Sequence, residues 1–231
     1  MSPRELIDLC DPDKHSREEA LQLTKIAVMQ DDSMHLRVAR MVRDQAIAAR
    51  PNLKLISRTL EVLDAAAPGS AFFSLLRPIL RDCDPQVQSK CVLMLARREA
   101  DLSWADKLME NDDARLRANV IEGLWDNKSP GVLQLLLRAS KDSNHRVVAN
   151  SAYGLRRLGA AEFQAVVDRM QTSKNPQFRG ASAWLIGRIG EPELCPLLKP
   201  LVRDPDPTVR KVAFTTLASL RAHQISSTGA A

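Results

Sequence analysis

Tyr153 and Arg157 stand one helical turn apart in the sequence, and the same pairing of an aromatic with an arginine returns further along as Trp184 and Arg188. Rings and guanidinium groups dominate binding hot spots, and an arginine can stack on a ring or clamp a carboxylate or phosphate. Leu93 and Arg97 hold the corresponding places in an earlier copy of the pattern. Tyr153 is the single tyrosine of the chain and Trp184 one of three tryptophans. These six residues are the candidate partner-binding positions. The competing expectation is that Tyr153 and Trp184 fill a seam between neighbouring helices and that both arginines are simply solvated.

Other residue types give no reactive constellation. His15, His35, His145 and His223 are dispersed, and none is followed by Glu. Glycine-rich phosphate loops, H-E-x-x-H, G-x-S-x-G and S-x-x-K are absent. The paired acids Asp11/Asp13, Asp82/Asp84, Asp112/Asp113 and Asp204/Asp206 fall at turns, where an acid is expected to cap a helix. Cys10, Cys83, Cys91 and Cys195 form no C-x-x-C and are expected to be reduced thiols, which also excludes a tetrahedral cysteine zinc site. No cofactor and no metal site are expected, and the reading is non-enzymatic. Trp104 is expected in the core, and Trp125 under the turn at Asp126–Asn127.

The elements that must position the candidates are keyed by Asp206-Pro207-Thr208-Val209-Arg210, echoed at nearly constant steps from Asp84, Asp113, Asn144 and Asn175. The Asp or Asn can accept hydrogen bonds from the first free helical amides, and proline is tolerated at the next position because its missing N–H would be unpaired there. Apolar and small residues follow on one face: Val147, Ser151, Leu155 and Leu158, then Phe178, Ser182, Ile186 and Ile189, then Val209, Ala213, Leu217 and Leu220. Second helices are predicted near 85–98, 113–126, 144–158, 176–189 and 206–221, and first helices near 71–82, 103–110, 130–141, 160–172 and 192–203. Pro78, Pro196 and Pro200 should kink or shorten the first helices that hold them. A period of about 31 residues predicts an all-α solenoid of stacked helix pairs. Counted from the motif's apolar residue, positions +2, +6 and +10 should point away from the partner helix, which puts Ala149, Tyr153 and Arg157, or Gly180, Trp184 and Arg188, in outward columns.

The D/N-P-x-V-R starts, the small residues one turn on and the closing Leu158-Gly159 and Ile189-Gly190 resemble HEAT repeats, in particular the short variety known from phycobilisome lyases. The resemblance covers about Ser70 to Arg221. It departs where Ala114 and His145 replace proline and where Gln88 and Val148 replace arginine. It implies five repeats over 70–222 behind an irregular helical capping module at 1–69, with a flexible tail at 223–231. It also implies that second helices line a concave face and that Arg117, Arg179 and Arg210 bond turn acids or carbonyls. The iron-binding His-Glu pairs of the HEAT-like deoxyhypusine hydroxylases are missing here.

Net charge is +5, and the excess lies in residues 111–231, with 17 Lys plus Arg against 11 Asp plus Glu. No apolar run approaches the ~18 residues of a membrane span, and Glu5 and Asp8 interrupt a secretory-type start, so a cytoplasmic protein is expected. The reading is a HEAT-repeat scaffold or adaptor that binds a protein partner on its concave face. Two alternatives stay open: a HEAT-like DNA-binding protein or alkylpurine DNA glycosylase-like enzyme, and a bilin lyase-like helper.

Overall fold

The helix starts are set by short polar side chains. The computed structural model of the chain describes residues 1–48, 50–66, 84–98 and 101–228. Asp113, Asn144 and Asn175 each accept a hydrogen bond from the backbone amide two residues on, at 2.8, 2.9 and 2.9 Å. Asp206 accepts from the amides of Thr208 and Val209 at 2.8 and 3.1 Å. Each cap satisfies amides that the first turn cannot pair internally. The fold is the expected all-α solenoid class, with no strand among the described residues. The predicted helix at 71–82, with Pro78, and Cys83 lie outside the described residues.

Contacts divide the chain into two units, Met1–Leu108 with Asp126–Lys128, and Met109–Trp125 with Ser129–Ala231. The first holds α1 (Pro3–Leu9), α2 (Arg17–Gln30), α3 (Met34–Ala46), α4 (Leu53–Ala66) and α5 (Pro85–Arg98), and α6 (Ser103–Met109) closes it. Ser2 opens α1 with a capping box shared with Glu5. Leu6, Val38, Val42, Ile56, Leu60 and Leu63 are buried together with the thiol of Cys10, and burial pushes that thiol's pKa up. Trp104 on α6 is buried as expected. No helix among the described residues is long and apolar enough to cross a membrane.

The second unit contains α7 (Ala114–Gly123), α8 (Val132–Ala139), α9 (His145–Arg157), α10 (Phe163–Gln171), α11 (Pro176–Ile189) and α12 (Pro207–Thr228). Helices α7, α9, α11 and α12 pack in series, and α8 and α10 cover them. Val147, Ser151, Leu155, Ser182, Ile186, Val209, Ala213 and Leu220 are buried as the periodicity requires. Leu158 is not: it is the C-cap of α9, just past the last helical turn, and is 45% exposed. Small residues let the helices approach, and Ser151 is completely buried because its hydroxyl donates to the Leu136 carbonyl. Gly190 ends α11 in the left-handed conformation, at φ 77°, which costs a residue without Cβ nothing.

The helices differ from the expected ones at three places. The segment expected as a first helix at 192–203 is two 3-10 pieces, Pro192–Leu198 and Leu201–Arg203. Pro196 and Pro200 each remove a backbone donor and crowd the preceding turn, so an α-helix cannot form through them. α7 stops at Gly123 and tightens into a 3-10 turn, Leu124–Asp126. At the other end, α12 continues to Thr228, beyond the point near Ala222 where the sequence reading ends it.

Candidate functional site

The motif arginines bind the array itself. Arg117 extends its guanidinium fork to Asp142 of the next repeat, at 2.8 and 2.9 Å, while its third nitrogen reaches the carbonyls of Asn111 and Asp112. Arg179 repeats the arrangement on Asp204, at 2.7 and 2.8 Å, and on the carbonyls of Ser173 and Lys174. Planar two-point pairing of this kind is strong and directional. The Arg179 fork holds the Asp204 carboxyl below the usual carboxylate range. Burial pushes Asp142 up, but the Arg117 fork and the Asn144 amide outweigh it and leave it lowered as well. Among the described residues, Arg210 has only the carbonyl bonds, to Asp204 and Pro205. At the step between α9 and α11, Val148 replaces the arginine and Ser173 the acid, so both halves of the clamp are missing together.

Beside this scaffolding lies a polar and aromatic cluster. The Trp125 ring packs against the Tyr153 ring with centroids 4.3 Å apart and planes tilted by 54°. Its indole N–H donates to the Asn150 carbonyl at 2.8 Å. The guanidinium of Arg188 lies 5.6 Å from the Trp125 centroid and 5.7 Å from that of Tyr153, and Arg157 lies 5.9 Å from Tyr153. These are cation–π separations. Gly154 permits the close approach, because a Cβ there would stand 3.4 Å from the Trp125 ring and 2.9 Å from both Leu136 methyls.

Trp125, Asn150 and Arg188 of this cluster also line a groove of ≈ 890 Å³ that crosses α7, α9, α11 and α12. Trp125, Trp184, Val209 and Val212 supply its apolar surface, Arg146 and Arg188 its cations, and Glu122 and Asp206 its carboxylates. Arg146 also donates to Asn119 at 3.2 Å and lies 3.7 Å from Glu122. His145, on the same wall, has its pKa lowered by burial and by neighbouring Arg146, which disfavours the charged ring.

Of the sequence candidates, Tyr153, Arg157 and Arg188 come together around Trp125, and Trp184 shares the groove with Arg188. Leu93 and Arg97 lie on α5 in the first unit. The outward-column expectation needs correcting at its first position. Ala118 and Ala149 are buried, at 0% and 1% exposure, because successive second helices pack on each other as well as on their hairpin partners. For the same reason Tyr153 is half-buried in that seam, whereas Trp184 is 42% exposed. Trp125 does not tuck under the turn at Asp126–Asn127: its N–H is drawn to α9. The sequence reading missed its place in the cluster, and the lone glycine inside the tyrosine-bearing helix was the signal for a close approach.

A family model for HEAT repeats matches residues 73–156 and 163–227, more than half of the chain. A search of curated proteins finds no match. Among solved structures, the chain is similar to two crystal structures of engineered proteins. One is 14% identical, with 95% of this chain and 96% of that one covered at a TM-score of 0.42. The other is 15% identical, with 95% and 68% covered at 0.40.

Proposed function

The chain belongs to the HEAT-repeat family, and from that premise we propose that it is a non-enzymatic adaptor that holds a segment of a partner protein in the groove of its second unit. A helical repeat scaffold of this kind presents a surface built from several successive repeats. The observation that carries the reading is the groove itself. Exposed Trp184 and Arg188, held against the Trp125 ring, are the residue types that anchor protein interfaces, and a wall of mixed sign suits a polypeptide. Glu122 and Asp206 in the same wall would repel a phosphate backbone, which favours protein over nucleic acid.

Site-specific photocrosslinking tests this. A benzophenone amino acid placed at Trp184 should yield a discrete adduct in cells that make the protein. The same group at Phe214, which is 57% exposed and outside the groove, should not. Identical adducts from both positions, or none from Trp184, would remove the groove as the docking surface.

A further inference from the structure

Resting on the reading of the groove as a protein-docking site, we infer that Arg188 is its specificity element: it receives the side-chain carboxylate of an Asp or Glu within the bound segment, while an adjoining apolar side chain beds on Trp184. Several guanidinium groups of the second unit are already engaged. Arg117 and Arg179 are forked onto aspartates, Arg146 is bonded to Asn119, and Arg156 is paired with Glu191. Arg188 differs, since among the described residues its partners are the two rings alone.

The Arg188 charge lies 5.6 and 5.7 Å from the two ring centroids, and a cation–π contact is not a hydrogen bond to any of the five guanidinium N–H donors. The rings therefore hold the charge of Arg188 in place while its donors remain for an acceptor. Little conformational freedom remains to be lost when a planar acceptor arrives, which is the condition under which a charge-assisted two-point bond contributes most.

The neighbouring side chains narrow the ligand further. Trp184 precedes Arg188 by one helical turn on α11, so a ring surface and a cationic fork adjoin on one face. An acidic residue beside an apolar one matches that pair. Glu122 and Asp206 admit one carboxylate placed at Arg188 but oppose a run of negative charges along the groove. The groove passes across four helices, so the carboxylate belongs to an internal residue of a chain that runs through it.

The test selects peptides from a displayed random library, fused through their C-termini, on the full-length protein. Selected sequences are resynthesised with blocked ends and titrated by tryptophan fluorescence. The expected peptides share an Asp or Glu next to an apolar residue. Amidating that acid should weaken binding about 10- to 100-fold, the cost of a lost charged hydrogen bond. Arg188→Gln should weaken the acidic peptide by the same factor and make the two peptides equivalent, and Arg188→Lys should recover part of the loss.

Peptides that are lost with Trp184→Ala but lack a shared acid and ignore Arg188→Gln would overturn the carboxylate assignment and leave the docking groove standing. Peptides indifferent to both variants, or no selected peptide at all, would overturn both. An oligothymidine that binds as tightly as the peptides and is released by Arg188→Gln would also overturn the assignment, in favour of phosphate.

Discussion

At the scale of single residues, similar arginines do different work according to whether the following repeat offers an aspartate. Arg179 and Asp204 are largely shielded from solvent, with side chains 14% and 5% exposed. Removing the arginine leaves a nearly buried carboxylate without its counter-charge. Arg179→Ala is therefore expected to cost about 3 kcal/mol, whereas Arg210→Ala, which forfeits only carbonyl bonds, should cost about 1 kcal/mol. Urea denaturation of the two variants checks the difference. The same clamps set an acid limit. Asp142 and Asp204 have lowered pKa values when folded, so below the ordinary carboxylate value the unfolded chain binds more protons than the native one. Their contribution is complete above about pH 4 and is lost as pH falls through the folded values. Urea midpoints should decline on that acid limb, and the decline should be shallower in Arg179→Ala. The structural role of these arginines was expected from the resemblance to HEAT repeats, which places an arginine of the motif on turn acids or carbonyls. The place of Trp125 was not, because it depends on which ring a helix backbone lets in.

At the scale of elements, glycines inside the second helices separate packing from propensity. In α9, a methyl at Gly154 would stand 2.9 Å from both methyls of the completely buried Leu136, so that side chain must shift within the core. Overpacking of about 1–3 kcal/mol then outweighs the roughly 1 kcal/mol that alanine gains over glycine in a helix. Gly154→Ala is expected to lower stability and, by displacing Trp125, to shift the wavelength of tryptophan emission. In α11, a Cβ at Gly180 would meet nothing nearer than a Val209 methyl at 3.8 Å. Gly180→Ala should accordingly raise the melting temperature by a few degrees, the equivalent of about 0.5–1 kcal/mol. Helix starts could be read from the sequence because each is a local hydrogen bond between a side chain and its own chain. The 3-10 form of Pro192–Leu198 could be anticipated only as a kink. The burial of Ala118 and Ala149 was hidden because a helical wheel drawn for one hairpin omits the next repeat.

At the scale of the whole chain, the regular return of one helix-start motif was enough to place it among helical repeats, since stacked hairpins are what such a period builds. What the groove holds was not legible, because its walls are drawn from four helices whose relation no single repeat encodes. Stacking of this kind makes stability a sum over neighbours. Arg117→Ala and Arg179→Ala act on pairs that share no partner, so the double variant should lose the sum of the single losses to within about 0.5 kcal/mol. A larger shortfall would show that the two clamps communicate. The step between them is the one where Val148 and Ser173 replace arginine and acid, and there an ion pair between Arg156 and Glu191, both well exposed, spans the gap instead. Brine weakens such an exposed pair far more than a shielded one. Raised ionic strength should therefore loosen this rung of the ladder while its neighbours stay fast, and because the groove straddles it, the mouth would gape there first, visible as salt-accelerated deuterium uptake at the facing edges of α9 and α11.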